Sequence, residues 1–213
     1  MNDGESRSGL IFMAIIALIA WFALVLQLYL NVTSGTPVAL ALLNYFSYFT
    51  ILTNILVAVG VSSALWANQT ATGQFFSQTN VKAGTAIYIA IVGVVYFLLL
   101  RNTWNPQGLQ KLADILLHYV TPLLYVSYWL AFAPKQTLRW KDAFLWLAYP
   151  LAYLIYALLR GVISGFYPYP FIDVHILGYP RVFLNAAVLT LVFLGIGLIA
   201  VAWGRKQKAS HPS

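Results

Sequence analysis

Long apolar runs alternate with short polar connections along the chain. Six of these runs, 9–30, 40–65, 84–100, 112–133, 144–159 and 182–203, are close to the length that crosses a bilayer as a helix. The pattern predicts an all-α polytopic membrane protein: one domain over residues 1–213, built as a six-transmembrane-helix bundle. A short polar N-terminus, 1–8, precedes the first helix, and a basic tail, 204–213, follows the last.

The connections carry turn-forming residues and are mostly short. The longest connection, 160–181, is rich in aromatic residues and proline, so we expect it to fold back onto the bundle instead of forming a loose tether. A packed connection of this kind often closes a binding site.

Composition excludes an ordinary soluble domain, in which about a quarter of the residues are charged. Here 61% of the residues are apolar and 8% are charged. The absence of cysteine removes disulfides and thiolate metal sites. The net charge of +7 is spread over loops and the tail, so it argues against a nucleic-acid partner and for an effect on membrane orientation.

The basic residues favour both termini on the cytoplasmic side. In that topology the inner side receives Arg7, Lys82, Lys135, Arg139, Lys141, Arg205, Lys206 and Lys208, and the outer side receives Arg101, Lys111, Arg160 and Arg181. The second, fourth and sixth helices then all enter from the outer face. Their polar residues would lie in the same outer half of the membrane, with Thr50 about 15 Å deep at 1.5 Å per residue.

The second run contains an unusually polar stretch, "NYFSYFTILTNIL" at 44–56. Each amide or hydroxyl in hydrocarbon must find a hydrogen-bond partner or cost free energy. On a continuous helix Ser47, Thr50 and Asn54 would fall within about 60° of one another and form a polar stripe. For Ser47 and Asn54, and for Thr53 beside them, helix packing is the competing interpretation.

The fourth run places Asp114, His118, Thr121 and Tyr125 on one helical face. That face is expected to point inward, because an ionisable group facing lipid costs several kcal/mol. Pro122 lacks an N–H and should distort the helix near His118. Asp114 is placed to accept the ring N–H of His118, either as part of a catalytic site or as a structural pair.

Three further candidates lie at the end of the longest connection. Asp173 and His175 could bind substrate, with capping or simple surface exposure as the alternative. Arg181 could bind a carboxylate or extend to lipid headgroups.

These residue types support hydrolysis of an ester through an acyl-threonine intermediate. Thr50 would be the nucleophile, His118 the general base and then the acid, and Asp114 the group that orients the imidazole. Asn54 or a nearby tyrosine would donate to the oxyanion. Ser47, Asn54, Tyr125, Asp173, His175 and Arg181 are the predicted substrate-binding residues. No cofactor is predicted.

Two other classes compete with the hydrolase. A zinc site is disfavoured because only one histidine lies in an apolar run and no second histidine follows at metal-ligand spacing. A non-enzymatic small-solute or proton-coupled carrier could use the same Asp–His pair as a proton relay. Against the carrier stands the lack of inverted halves with matching broken helices.

Three segments carry a resemblance to a known family. "YFTILTNIL", "DILLHYVTPLL" and "YPYPFIDVHILGYPRVF" occur in the order and helix positions found in the androgen-induced, or FAR-type, six-helix membrane proteins. Animal members of that family hydrolyse fatty acid esters of hydroxy fatty acids with an intramembrane threonine and histidine. The resemblance covers nearly the whole chain and places Thr50 and His118 at those two positions.

The chain departs from that family at three positions around the histidine. The animal members have a second histidine where this chain has Ile115, a threonine where it has Tyr119, and an asparagine where it has Asp114. The resemblance therefore implies a lipid hydrolase acting on an amphiphilic ester among membrane lipids, with the substrate left open. The compact loops favour a bacterial inner membrane, with the site toward its outer face.

Overall fold

The computed structural model describes residues 6–210, apart from the side chains of 207–210. Within that range the chain is helical and contains no β-strand, as the apolar pattern predicts. Residues 1–5 of the predicted polar N-terminus and 211–213 of the predicted basic tail lie outside the described residues.

The chain divides into two compact units, Met1–Lys135 and Gln136–Ser213. The first contains helices α1 (Arg7–Val32), α2 (Val38–Tyr45), α3 (Phe49–Trp66), α4 (Ala71–Ser77), α5 (Thr79–Val95), α6 (Gly108–Ile115) and α7 (Thr121–Ala131), and two π-helical turns, π1 (Tyr96–Leu100) and π2 (Leu116–Val120). The second contains α8 (Trp140–Leu145), α9 (Ala148–Ser164), a 3₁₀ turn (Pro170–Ile172) and α10 (Val174–Ser210).

Small residues let the helices of the first unit pack closely. Ala17, Ala20 and Ala23 on α1 are buried, and α1 packs against α3. Side chains of this size allow helix backbones to approach, which is the usual way apolar helices associate in a membrane. α5 packs against both α3 and α7, so the core of this unit is formed by four long helical segments.

The second apolar run is not one continuous helix, contrary to the sequence-based prediction. α2 ends at Tyr45 and α3 begins at Phe49, with extended backbone at Tyr48. Ser47 donates its hydroxyl to the carbonyl of Leu43 at 2.6 Å, so the side chain competes with the backbone for helical acceptors. Thr50 is consequently the second residue of a helix, and the depth calculated for it from a continuous run does not hold.

The fourth apolar run is helical over Gly108–Ala131 but is interrupted by π2, which ends two residues before Pro122. The distortion expected from this proline is therefore present as a wider turn. Among residues 6–210, five helices are long and apolar enough to cross a membrane: Arg7–Val32, Phe49–Trp66, Thr79–Leu100, Trp140–Ser164 and Val174–Lys206. The run containing His118 is not one of these five.

A buried lysine follows the C-terminal end of α7. Lys135 donates to the carbonyls of Leu130 at 3.0 Å and Ala133 at 2.7 Å. Its ammonium group thus provides hydrogen bonds to carbonyl groups at and just beyond the C-terminal end of α7. Burial lowers the pKa of Lys135.

In the second unit, the connection between α9 and α10 folds against α10. α9 terminates at Gly165, whose φ of 72° is typical of a helix C-terminal glycine. Asn185 on α10 donates to the carbonyl of Phe171 at 2.8 Å, which ties the 3₁₀ turn to the helix. A break at Gly178, with φ 71° and ψ 158°, separates the first turn of α10 from the long helix that follows.

Candidate functional site

The polar face of the fourth run points inward, as its spacing predicts. Asp114, Thr121 and Tyr125 are buried, and the His118 side chain is 15% exposed. His118 is therefore mostly, but not completely, buried within the first unit.

Asp114 holds the imidazole of His118 from one turn earlier. Nδ1 of the ring lies 3.0 Å from the backbone carbonyl of Asp114 and 3.1 Å from its carboxylate Oδ1. Nδ1 is aligned with the carbonyl, so Oδ1 is close to the ring without accepting a well-directed hydrogen bond. Two oxygens facing Nδ1 favour a proton there, which leaves Nε2 as the acceptor in the neutral ring.

Tyr96 completes this cluster, and the sequence reasoning missed it. Its hydroxyl donates to Asp114 Oδ2 at 2.5 Å, and its ring stacks on His118 with centroids 3.9 Å apart and planes 17° apart. Tyr96 is buried at the end of the third apolar run. The signal was available in principle, because a buried tyrosine hydroxyl requires an acceptor and carboxylates are scarce in this chain.

Two π-helical turns frame the cluster. The N–H of Arg101 donates to the carbonyl of Tyr96 at 2.8 Å, and the N–H of Thr121 donates to the carbonyl of Leu116, each spanning five residues. π-Turns are rare and occur often at functional sites. Here one contains Tyr96 and the other contains His118, so both aromatic partners project from widened turns.

Gly93 brings α5 close to π2. A Cβ atom at this position would lie 3.2 Å from the carbonyl oxygen of His118 and 3.3 Å from Cβ of Pro122. The missing side chain therefore permits the approach that places Tyr96, three residues later at the start of π1, against the imidazole.

Asn54 joins α3 to π2. Its Nδ2 donates to the carbonyl of Thr50 at 2.8 Å and to the carbonyl of Leu117 at 3.2 Å. The Leu117 carbonyl needs this donor, because the N–H of Thr121 is used by Leu116 and Pro122 has no N–H. The amide nitrogen of Asn54 thus already has two carbonyl acceptors, which fits the helix-packing interpretation of this residue.

Thr50 lies in the first turn of α3, where it is buried. The contact between Asn54 and Leu117 brings this part of α3 against π2, one turn from Thr50 and one residue from His118. Ser47 is separated from Thr50 by the break between α2 and α3, so the predicted three-residue stripe reduces to Thr50 and Asn54. Tyr125 packs against Tyr128 with ring centroids 5.9 Å apart.

The remaining candidates belong to the second unit. Asp173 Oδ1 accepts from the N–H groups of His175 at 2.9 Å and Ile176 at 3.3 Å, which is an N-terminal cap on the first turn of α10. The ring of His175 packs edge-on against Tyr167, with centroids 5.3 Å apart. Arg181 is exposed at the start of the long part of α10.

Comparisons with models of known protein families, with curated proteins and with solved structures found no match for this chain.

Proposed function

We propose that this chain is an integral membrane hydrolase of lipid esters that works through an acyl-threonine intermediate. In this proposal the chain crosses the membrane six times, with both termini in the cytoplasm. It lies in a bacterial inner membrane, with its site toward the outer face. The observation that carries the proposal is the held imidazole of His118, whose Nδ1 faces Asp114 and whose Nε2 is left to accept a proton.

The reaction divides into acylation and deacylation, and His118 takes and then returns a proton in each. Nε2 takes the proton of the Thr50 hydroxyl as its oxygen attacks the ester carbonyl, and then delivers that proton to the leaving alcohol. The same nitrogen then takes a proton from a water molecule whose oxygen attacks the acyl-threonine, and it returns that proton to the Thr50 oxygen as the bond to the acyl group breaks and the fatty acid leaves. Asp114 Oδ1, 3.1 Å from Nδ1, stabilises the imidazolium formed in each half of the reaction.

The break between α2 and α3 places Thr50 at the N-terminal end of a helix, which a continuous helix would not have done. The first N–H groups of an α-helix have no acceptor inside the helix, and this end carries partial positive charge. Thr50 is the second residue of α3. In this proposal the partial positive charge at this end of α3 stabilises the developing oxyanion, in place of Asn54.

The resemblance to the androgen-induced, FAR-type proteins supports the same two residues and the substrate class. Under this proposal the substrate is an amphiphilic ester of a fatty acid, such as an ester with a hydroxy fatty acid, taken from the surrounding lipid. Tyr125, on the same buried face as His118, would contact that substrate.

A fluorophosphonate probe on the purified protein tests the proposal. We expect a covalent adduct on the peptide that contains Thr50, lost in Thr50→Ala and retained in Thr50→Ser. Thr53→Ala is the matched control, because Thr53 is a buried threonine three residues further along the same helix. Labelling that persists in Thr50→Ala, or a protein that neither labels nor hydrolyses lipid esters, would defeat the hydrolase.

A proton-coupled carrier is the second candidate, favoured by the contact among three titratable side chains. Tyr96, Asp114 and His118 are joined by contacts of 2.5 Å and 3.1 Å inside the first unit. A carrier would move its solute into liposomes with proton uptake, and Asp114→Asn would abolish that flux. Flux that depends on Asp114, without any labelling of Thr50, would select the carrier over the hydrolase.

A further inference from the structure

We propose that Tyr96 is a positioning residue for the imidazole of His118, acting through both its hydroxyl and its ring. This inference rests on the proposed hydrolase for its kinetic consequence. Its structural content concerns the state of His118 and can be measured without catalysis.

The hydroxyl of Tyr96 orients the carboxylate of Asp114. A carboxylate can rotate about its bond to Cβ, and a donor on one oxygen restricts that rotation. Tyr96 donates to Oδ2 at 2.5 Å, which leaves Oδ1 toward Nδ1 of His118 at 3.1 Å. When the ring gains a proton, Oδ1 is already placed to stabilise the positive charge, so no reorganisation is needed at that moment.

The ring of Tyr96 fixes the plane of the imidazole. The two rings are separated by 3.9 Å and inclined by 17°, so rotation of the imidazole about its bond to Cβ would drive it into the phenol. With Nδ1 held by Asp114 on one side and the ring face covered by Tyr96, the direction of Nε2 is determined. A base gains from such restriction because the acceptor lone pair is aimed before substrate arrives.

Tyr96 is itself held in place by the residues around it. It opens π1, and Tyr119 packs edge-on against its ring with centroids 5.5 Å apart and planes at 90°. Gly93 gives α5 the close approach to π2 that the stack requires. Because Tyr96 is held in one orientation, it can restrict the orientations of Asp114 and His118, which it contacts.

Two substitutions separate the roles of the hydroxyl and the ring. Tyr96→Phe keeps the stack and removes the donor, whereas Tyr96→Leu removes both. Tyr119→Phe is the matched control, because it removes a hydroxyl from the neighbouring ring of the same cluster. We expect fluorophosphonate labelling of Thr50 to slow about 10-fold in Tyr96→Phe, further in Tyr96→Leu, and by less than about 2-fold in Tyr119→Phe.

The tautomer of His118 provides a readout that simple packing would not move. The chain has three histidines, so the ¹⁵N resonances of His118 can be assigned by their loss in His118→Gln. We expect the wild type to carry its proton on Nδ1, and Tyr96→Phe to shift part of the population to Nε2. Folding of each variant is checked by thermal unfolding in detergent.

The outcomes keep the two proposals apart. A wild-type protein without any Thr50 adduct defeats the hydrolase, while a tautomer shift in Tyr96→Phe still supports the positioning role. A labelled wild type whose Tyr96→Phe variant matches it in both rate and ¹⁵N spectrum overturns the role of Tyr96 and leaves the hydrolase standing.

Discussion

The chain contains two sets of an aspartate, a histidine and a tyrosine, and the two are built differently. In the first unit Asp114 and Tyr96 both contact the ring of His118, at 3.1 Å from Nδ1 and at 3.9 Å between ring centroids. In the second unit Asp173 bonds backbone N–H groups, including that of His175, and Tyr167 meets the exposed His175 ring only by its edge. Residue types alone do not distinguish these sets.

Spacing and burial explain the difference. Asp114 lies four residues before His118, one helical turn away, so its side chain reaches the ring. Asp173 lies two residues before His175 at a helix start, where its oxygen is placed to cap the N–H groups of the first turn. The buried set restricts an imidazole, whereas the exposed set stabilises a helix end.

The largest expected difference between the two sets is in the histidines themselves. Removing a general base typically costs two to four orders of magnitude in rate. We expect His118→Ala to lower the rate of Thr50 labelling by about 100-fold or more, and His175→Ala to leave it unchanged. Rates of adduct formation with the small fluorophosphonate probe measure this directly. Equal loss of probe labelling in both histidine variants would erase the contrast between the two sets.

Substitutions of the two aspartates should differ less in their effect on the rate of Thr50 labelling. Asp114→Asn keeps the size of the side chain but removes the charge that stabilises the imidazolium, so we expect labelling to slow by about 10- to 100-fold. Asp173→Asn keeps an oxygen able to cap the helix, so its rate should equal that of the wild type. A slow Asp173→Asn variant would place the second set in the chemistry after all.

The asparagines that join helices in each unit provide a stability comparison. Asn54 is fully buried and donates to two carbonyls, whereas Asn185 is partly buried and its Nδ2 donates to the carbonyl of Phe171. Asn54→Leu leaves the carbonyl of Leu117 without its donor, so we expect a loss of about 1–3 kcal/mol in the free energy of unfolding. Asn185→Leu should cost less, and a greater loss there would contradict the role given to Asn54.

Removing the helix cap at Asp173 should lower the free energy of unfolding by less than Asn54→Leu does. Asp173→Ala removes the acceptor for the N–H groups of His175 and Ile176, and loss of such a cap typically costs about 1 kcal/mol. We expect the midpoint of unfolding to fall while probe labelling stays at the wild-type rate. An Asp173→Ala variant with unchanged stability and slowed labelling would contradict the conclusion that Asp173 stabilises a helix end and takes no part in the reaction.

The smallest effect concerns Tyr167 and pH. Burial, together with Tyr179 and Asp173, raises the pKa of Tyr167 above its ordinary value of 10.0. The folded protein then keeps this proton at pH values where the unfolded chain has lost it, so stability falls as pH rises above about 10. Tyr167→Phe should make the decline of stability with pH slightly less steep, as measured by unfolding at a series of alkaline pH values. An unchanged slope would show that Tyr167 does not contribute to the decline.

The pattern of apolar and polar residues predicted some structural features correctly and others wrongly. The apolar runs predicted an all-helical chain, and the i, i+4, i+7, i+11 spacing from Asp114 predicted the buried face that the structure shows. The same reasoning failed at Ser47, where a wheel drawn on a continuous helix crossed a break. A hydropathy pattern continues through such a break, because the residues on both sides are equally apolar.

By itself the sequence determined that the chain is helical, that several helices are long and apolar enough to cross a membrane, and that Asp114 and His118 share one inward face. These follow from spacing along one segment and from the free energy of placing polar groups in hydrocarbon. Tertiary structure alone decided that Tyr96 covers His118, that Asn54 satisfies Leu117, and that Thr50 begins a helix. Each depends on how closely separate segments approach, which side-chain size at distant positions such as Gly93 controls.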